Sequence, residues 1–211
     1  MESSLMAHVA ATATSARHSP LGSSAPPARR PVAEFVNRII HGDCIQVIAT
    51  MPDTCVDLVV TDPPYAARYR DRSDRIVAND DTTSWLKPAF AQIVRVLKNN
   101  RFCVSFYGWH KVDTFMAAWR AAGLRPRAHF VWIKRYASGQ NLAAYCHEQA
   151  YLLCKGEPPK PSLVLRDVLE WRYTGNRYHP TQKPLMALLS TPDENSPNRR
   201  SKIPQPLLGG G

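Results

Sequence analysis

Between residues 34 and 184, short apolar runs alternate with stretches whose apolar residues recur at helical spacing. This alternation restricts the chain to βα units around a mainly parallel sheet, an α/β fold. Val56 to Thr61 is the clearest buried strand, with Val59 and Val60 at its centre. Further apolar runs predict strands over Arg38 to Ile40, Phe102 to Tyr107, Arg127 to Lys134 and Glu148 to Cys154. A helix is expected over Ile45 to Met51, closed by Pro52. A second is expected over Trp85 to Leu97, where Leu86, Phe90, Ile93, Val94 and Leu97 share a face before an Asn99-Asn100 stop. A third runs over Lys111 to Ala122 and ends at Gly123.

Outside this region the pattern stops. Residues 1–33 are rich in Ala, Ser, Thr and Pro, with Glu2 the only acid, and read as a disordered leader. An organelle transit peptide or an upstream extension has the same composition. After the helix-like start at Pro184 to Leu189, residues 191–211 read as a disordered tail. The folded domain is therefore expected over residues 34–190. Across the whole chain 27 Lys+Arg oppose 17 Asp+Glu, and residues 34–184 hold 21 against 14, so the basic excess belongs to the fold. That balance favours a polyanionic partner, nucleic acid first, over a merely solvated basic surface. No run approaches the roughly 18 apolar residues of a membrane span. Five cysteines without a Cys-x-x-Cys pair suggest neither a disulfide framework nor a zinc site, and fit a reducing cytoplasm.

The sharpest chemical signal is Thr61-Asp62-Pro63-Pro64-Tyr65, directly after the buried strand. In open α/β sheets ligands bind beyond the carboxyl ends of strands. Pro63 drives Asp62 out of the helical region, and the two prolines stiffen the loop and remove two backbone donors. The Asp62 carboxylate and the Pro63 carbonyl are left to accept hydrogens from an exocyclic amino group, with Tyr65 as a stacking face for a base. Asp, Pro and Tyr are also ordinary turn formers, so a plain strand-ending turn is the alternative.

Asp62-Pro63-Pro64-Tyr65 resembles the catalytic motif of the S-adenosylmethionine-dependent DNA amino-methyltransferases, which modify adenine N6 or cytosine N4. His41-Gly42-Asp43-Cys44 looks like the family's Gly-Asp segment, His147-Glu148 with Lys155-Gly156 like its late strand, and His179-Pro180-Thr181-Gln182-Lys183-Pro184 like the lead into its cofactor half. The order, catalytic motif first, is similar to the β-type arrangement. The resemblance implies a Rossmann-like methyltransferase sheet, catalytic roles for Asp62, Pro63, Pro64 and Tyr65, and cofactor contacts from Asp43, His179 and Lys183. S-adenosyl-L-methionine would be the cofactor, DNA the partner, and restriction–modification the setting. Adenine-N6 is expected over cytosine-N4, whose enzymes more often begin the motif with Ser.

One departure weighs against a complete enzyme. The family's glycine-rich cofactor loop has no counterpart, since the only closely spaced glycines among the ten are Gly209-Gly210-Gly211. The expected sheet is then incomplete at the C-terminus, and a catalytically inactive DNA-binding remnant is the second hypothesis. A third is methylation of RNA or of protein amides. Arg68, Arg70, Arg72 and Arg75 after the catalytic motif are candidate phosphate contacts, or else part of a solvated mixed-charge loop. Arg166, Trp171, Arg172, Tyr173, Arg177 and Tyr178 mix charge and rings as a nucleic-acid groove does.

Overall fold

The computed structural model describes residues 6–8, 27–70, 76–77, 79–137, 142–160 and 164–171. Its sheet has six strands: β1 (Met6–His8), β2 (Val56–Thr61), β3 (Leu97–Phe106), β4 (Arg125–Ile133), β5 (His147–Lys155) and β6 (Val168–Glu170). The spatial order is β1-β2-β3-β5-β4-β6. β1, β2 and β3 pair in parallel, β5 runs antiparallel to both β3 and β4, and β4 and β6 are parallel. Every strand but β5 thus runs the same way, so the sheet is mainly parallel, as its alternating pattern requires. β5 alone is reversed, pairing antiparallel with both of its neighbours.

Helices α1 (Cys44–Ala49), α2 (Leu86–Val96) and α3 (Val112–Ala121) are the three expected from periodicity, with ends displaced by a residue or two: α1 starts one residue earlier and stops two sooner, and α2 and α3 are one residue shorter at each end. Asp43 caps α1, its carboxylate accepting from Gln46 N at 3.0 Å. On α2 the spacing of Leu86, Phe90, Ile93 and Val96 buries one stripe. Lys155 closes its end by donating to the carbonyls of Val94 and Leu97 at 2.8 and 2.7 Å.

Alternate residues on the strands feed two cores. The helical face gathers Phe35, Phe90, Ile93, Cys103, Phe115 and Trp119. The opposite face gathers Val104, Phe106, Phe130, Trp132, Leu152 and Trp171, with Tyr65 packed against it. Each fully buried large side chain contributes on the order of 1.5–3 kcal/mol, so both faces hold the sheet.

Three expectations are corrected, and one strand was not foreseen. Arg38 to Ile40 is not a strand: Asn37 turns the chain at φ 54°, Ile39 is 98% exposed, and the place beside β2 is taken by β1. Asn99-Asn100 does not stop the chain, which passes from α2 straight into β3. There Asn100 at φ 57° lets the strand bulge between its pairings with Val56 and Leu58. β6 was not legible at all. Parts of the expected leader are ordered, because Met6–His8 pairs with β2 and Arg30 N donates to Thr50 O at 2.8 Å, while the Arg29 guanidinium donates to Ala49 O at 2.7 Å. The expected tail, 191–211, lies outside the described residues.

Candidate active site

β2 delivers Thr61 to the carboxyl edge of the sheet, and the next four residues form a turn there. Pro63 is buried, while Asp62, Pro64 and Tyr65 are half-buried. The Tyr65 hydroxyl donates to Asp62 Oδ1 at 3.1 Å, so the motif is closed on itself by one side-chain hydrogen bond. Burial raises the pKa of this hydroxyl well above the ordinary tyrosine range, and the charges of Asp62 and Glu148 reinforce the shift. Tyr65 is therefore a neutral donor at physiological pH. Beneath it, after β3, a Cβ on Gly108 would lie 2.9 Å from both Tyr65 Cβ and Tyr65 O. Only glycine lets the end of β3 approach the loop so closely.

The chain beyond Tyr65 is held by a residue that the sequence did not single out. Asp80 is 3% exposed and accepts from Ala67 N at 3.1 Å and Tyr69 N at 2.7 Å, while its own carbonyl accepts from Arg68 N at 2.9 Å. These bonds fasten a segment that carries two positive-φ residues, Ala66 at 56° and Arg68 at 53°. Arg68 and Arg70 are exposed beside the loop, where a phosphate could reach them. Arg72 and Arg75 lie outside the described residues.

Asp43 and the Asp62–Tyr65 loop share one cavity, lined among others by Gly42, Asp43, Thr61, Pro63, Pro64 and Phe90. Its lining comes from α1, α2, β2 and the loop after β2, and is mostly apolar with Asp43 among it. That set, apolar side chains and one carboxylate, fits a flat heterocycle with polar margins such as an adenine. His179 and Lys183 lie outside the described residues, so only the Asp43 part of the expected cofactor site is on view. Trp171 does not offer its ring to a groove, for it is 6% exposed within the second core. Arg166 is exposed, and Arg172, Tyr173, Arg177 and Tyr178 are outside the described residues.

Lys134 is the other residue that reading the sequence missed. Its ammonium meets Glu148 Oε1 at 2.6 Å, with the two side chains 2% and 13% exposed, on the same carboxyl edge as the loop. Among the described residues no helix is long and apolar enough to cross a membrane. The arrangement as a whole is an acceptor-rich, proline-stiffened loop beside an apolar slot, suited to holding an amino group rather than to covalent catalysis.

Comparison with known proteins places this geometry in context. Residues 56–178 match the family model of the N6/N4 DNA methylases. The chain is 50% identical over 153 residues to YubD of Escherichia coli (strain K12), a protein named as a methylase, covering 72% of this chain and 67% of that one. It is 27% identical over 117 residues to the type II methyltransferase M.BglII of Bacillus subtilis, covering 51% of this chain and 32% of that one. A crystal structure of M1.HpyAVI in complex with SAM is similar over 64% of this chain and 63% of its own, at 19% identity and a TM-score of 0.46. The chain thus spans about two thirds of YubD and about a third of M.BglII.

Proposed function

The chain belongs to the N6/N4 DNA methylase family, and on that premise we propose that it moves a methyl group from S-adenosyl-L-methionine to the exocyclic amino group of adenine in DNA. The observation that carries the reading is the closed loop at the end of β2, where Tyr65 orients the Asp62 carboxylate beside the apolar slot that ends at Asp43.

When bound, the cofactor supplies an electrophilic methyl group. The residues of this chain do the rest. Gly42, Asp43 and the apolar walls around Phe90 hold the adenosine end. An adenine turned out of the duplex, a displacement that costs a few kcal/mol, stacks on the Tyr65 ring. Its amino hydrogens go to the Asp62 carboxylate and the Pro63 carbonyl, which aims the nitrogen lone pair into the slot. An amino nitrogen conjugated to its ring is a poor nucleophile, so fixed orientation supplies much of the rate. Its proton becomes acidic only as the nitrogen gains the methyl group, so the group that accepts it need not be a strong base. Arg68 and Arg70 contact phosphates flanking the displaced base.

The acid at the head of the motif favours adenine-N6 over cytosine-N4 within the family. Purified protein, labelled cofactor and duplex DNA, followed by nucleoside analysis, test both parts at once. Label in N6-methyladenine, lost on Asp62→Ala with DNA binding retained, is the expected result. Label in N4-methylcytosine would overturn the choice of base, and no transfer to any DNA would overturn the activity.

A further inference from the structure

Five tryptophans are present, and four of them have a structural place. Trp119, Trp132 and Trp171 are buried in the two cores. Trp85 is half-buried, its indole nitrogen donating to Asn79 O and Thr82 O at 3.1 and 3.0 Å. Trp109 is 61% exposed. Tryptophan buries most of its large surface on average, so this side chain needs another reason to stand where it does.

Its position is set by the turn after β3. Gly108 is buried against the Asp62–Tyr65 loop, where an added Cβ would meet Tyr65 Cβ and Tyr65 O at 2.9 Å. Trp109 follows one Cα step, about 3.8 Å, along the chain. It opens a single 3-10 turn, Trp109–Lys111, in which Lys111 N donates to Gly108 O at 3.0 Å, and α3 continues directly from that turn. Fully buried Phe115 and Trp119 anchor α3. The His110 ring stands edge-on to the indole, centroids 5.9 Å apart, with its Nε2 3.4 Å from Ala66 O. The indole is thus exposed on a fixed base, one residue from the contact with the loop.

Its surroundings suit a nucleic acid. Val112, 36% exposed and three residues on, widens the apolar spot, and His110, Arg68 and Arg70 are exposed on the same two segments. Flat rings set among cations stack on bases while the cations follow the backbone. Turning a base out of the duplex onto Tyr65 leaves an unstacked gap beside the loop. Apolar side chains pushed between base steps hold an opened duplex, provided they are exposed, rigidly mounted and close to the opening. Trp109 meets all three conditions. Tyr69, a second exposed ring at 37%, rides on the segment that turns at Arg68 and is less exposed.

We propose that Trp109 is the side chain that enters the duplex at the displaced base, filling the gap while Tyr65 receives the base itself. The inference rests on the DNA amino-methyltransferase reading and deepens it by naming the residue that keeps the duplex open. It requires a duplex with an opening, not a particular recognition sequence.

The test measures binding of the full chain, by fluorescence anisotropy, to two labelled duplexes of one sequence, the first fully paired and the second carrying a single abasic sugar. The abasic site is a gap already open, so the wild-type protein should bind it about tenfold tighter or more. Trp109→Ala should lose that preference while binding the paired duplex within about threefold of wild type, since phosphate contacts dominate there. Trp109→Phe, which keeps a ring, should retain part of the preference, and Val112→Ala all of it. In protein labelled with 5-fluorotryptophan, the 19F line that Trp109→Phe removes should shift on the gapped duplex and stay on the paired one. A wild-type chain that binds DNA without preferring the gap would overturn the proposal. So would a preference that survives Trp109→Ala, or one lost in Tyr69→Ala instead. An equal loss on both duplexes overturns it as well, because the ring would then serve the backbone. Methyl transfer to genomic DNA is scored separately. A gap preference carried by Trp109 in a chain that transfers no methyl group sinks the activity and leaves this role standing; transfer without any gap preference does the reverse. No binding to either duplex overturns both.

Discussion

Replacing Gly108 by alanine adds one methyl group to the molecule and aims it at the Asp62–Tyr65 loop. The new Cβ would lie 2.9 Å from Tyr65 Cβ, 2.9 Å from Tyr65 O and 3.0 Å from His110 Cε1. Gly108 has φ −80° and ψ 122°, a conformation that alanine adopts readily, so backbone strain adds nothing and the penalty is wholly steric. One of the three neighbours is a backbone oxygen and another a Cβ, neither of which can swing aside by changing rotamer. Relief therefore requires moving the loop or the end of β3. Overpacking of this kind costs about 1–3 kcal/mol, and about 2 kcal/mol is about thirtyfold in the folding equilibrium. Urea unfolding should show that loss as a lower midpoint at unchanged m-value. Methyl transfer should fall further than stability does, because the displaced atoms belong to Tyr65, which orients Asp62. Gly42→Ala is the internal control for the stability measurement alone: its Cβ meets only Val47 Cγ2, at 3.1 Å, and that side chain can give way. A Gly108→Ala protein with wild-type midpoint and wild-type rate, or with a midpoint no lower than that of Gly42→Ala, would refute the close approach of β3 and loop.

Asp80→Ala strands the amides of Ala67 and Tyr69. It should cost about 2–4 kcal/mol, since each lost bond is to a carboxylate, and amide exchange within residues 66–70 should speed up while β3 and β5 stay protected; uniform exchange would refute the local role. Alkaline pH should weaken the fold. Burial pushes the Cys103 thiol from 9.0 up to about 12 and raises the Tyr65, Tyr107 and Tyr145 hydroxyls, so the folded chain keeps protons that the unfolded chain releases. The stability these groups lend is whole below about pH 9 and is lost as pH climbs toward their folded values, with Cys103 alone accounting for about 2–3 kcal/mol by about pH 11. Urea midpoints measured over that range test the sign, and a flat profile, or one unaltered by Cys103→Ala, contradicts it.

What could be read from the sequence is what short-range rules decide. Val56 to Thr61 came out as β2 because five apolar or β-branched residues in six leave little else, and Pro52 and Pro63 bracket the segment with stiff turns. The helical stripe of Leu86, Phe90 and Ile93 is equally local. Arg38 to Ile40 failed because its pattern is as good as that of many strands; whether it joins the sheet depends on which segment lies beside β2, a contest settled across some fifty residues. Asn99-Asn100 misled for a related reason. Asn favours turns, yet here Asn100 occupies a bulge against β2 and its Oδ1 accepts from Glu157 N at 2.9 Å. In the site, the Asp62 to Tyr65 motif was legible through its composition. Asp80 was not, since nothing in Asn79-Asp80-Asp81 says which acid turns inward to the amides of residues 67 and 69. Lys134 was hidden by the rule that lysines are solvated.

The placement of charge along the strands gives this difference a physical meaning. At the amino end of β2 Asp57 meets Lys98 at 3.0 Å and Arg101 at 3.4 Å, and Lys98 remains 43% exposed. Water reaches these cations, so the ion pairs contribute little and cost little. At the carboxyl end the Lys134 ammonium is shut away from water with Glu148, and Asp80 is buried on backbone amides. Desolvating such groups is expensive, and neither apolar core needs them. The Asp57 carboxylate, 11% exposed, is as buried as Glu148, but its partners are part-exposed cations, whereas Asp80 is itself buried on the amides that follow the Asp62–Tyr65 loop, so charge removal at the two ends should have different signatures. Asp57→Asn should shift the urea midpoint slightly and leave kcat unchanged, whereas Asp80→Ala should depress kcat beyond its change in stability. Equal kinetic effects at both ends would mean that the buried charges serve the fold rather than the loop.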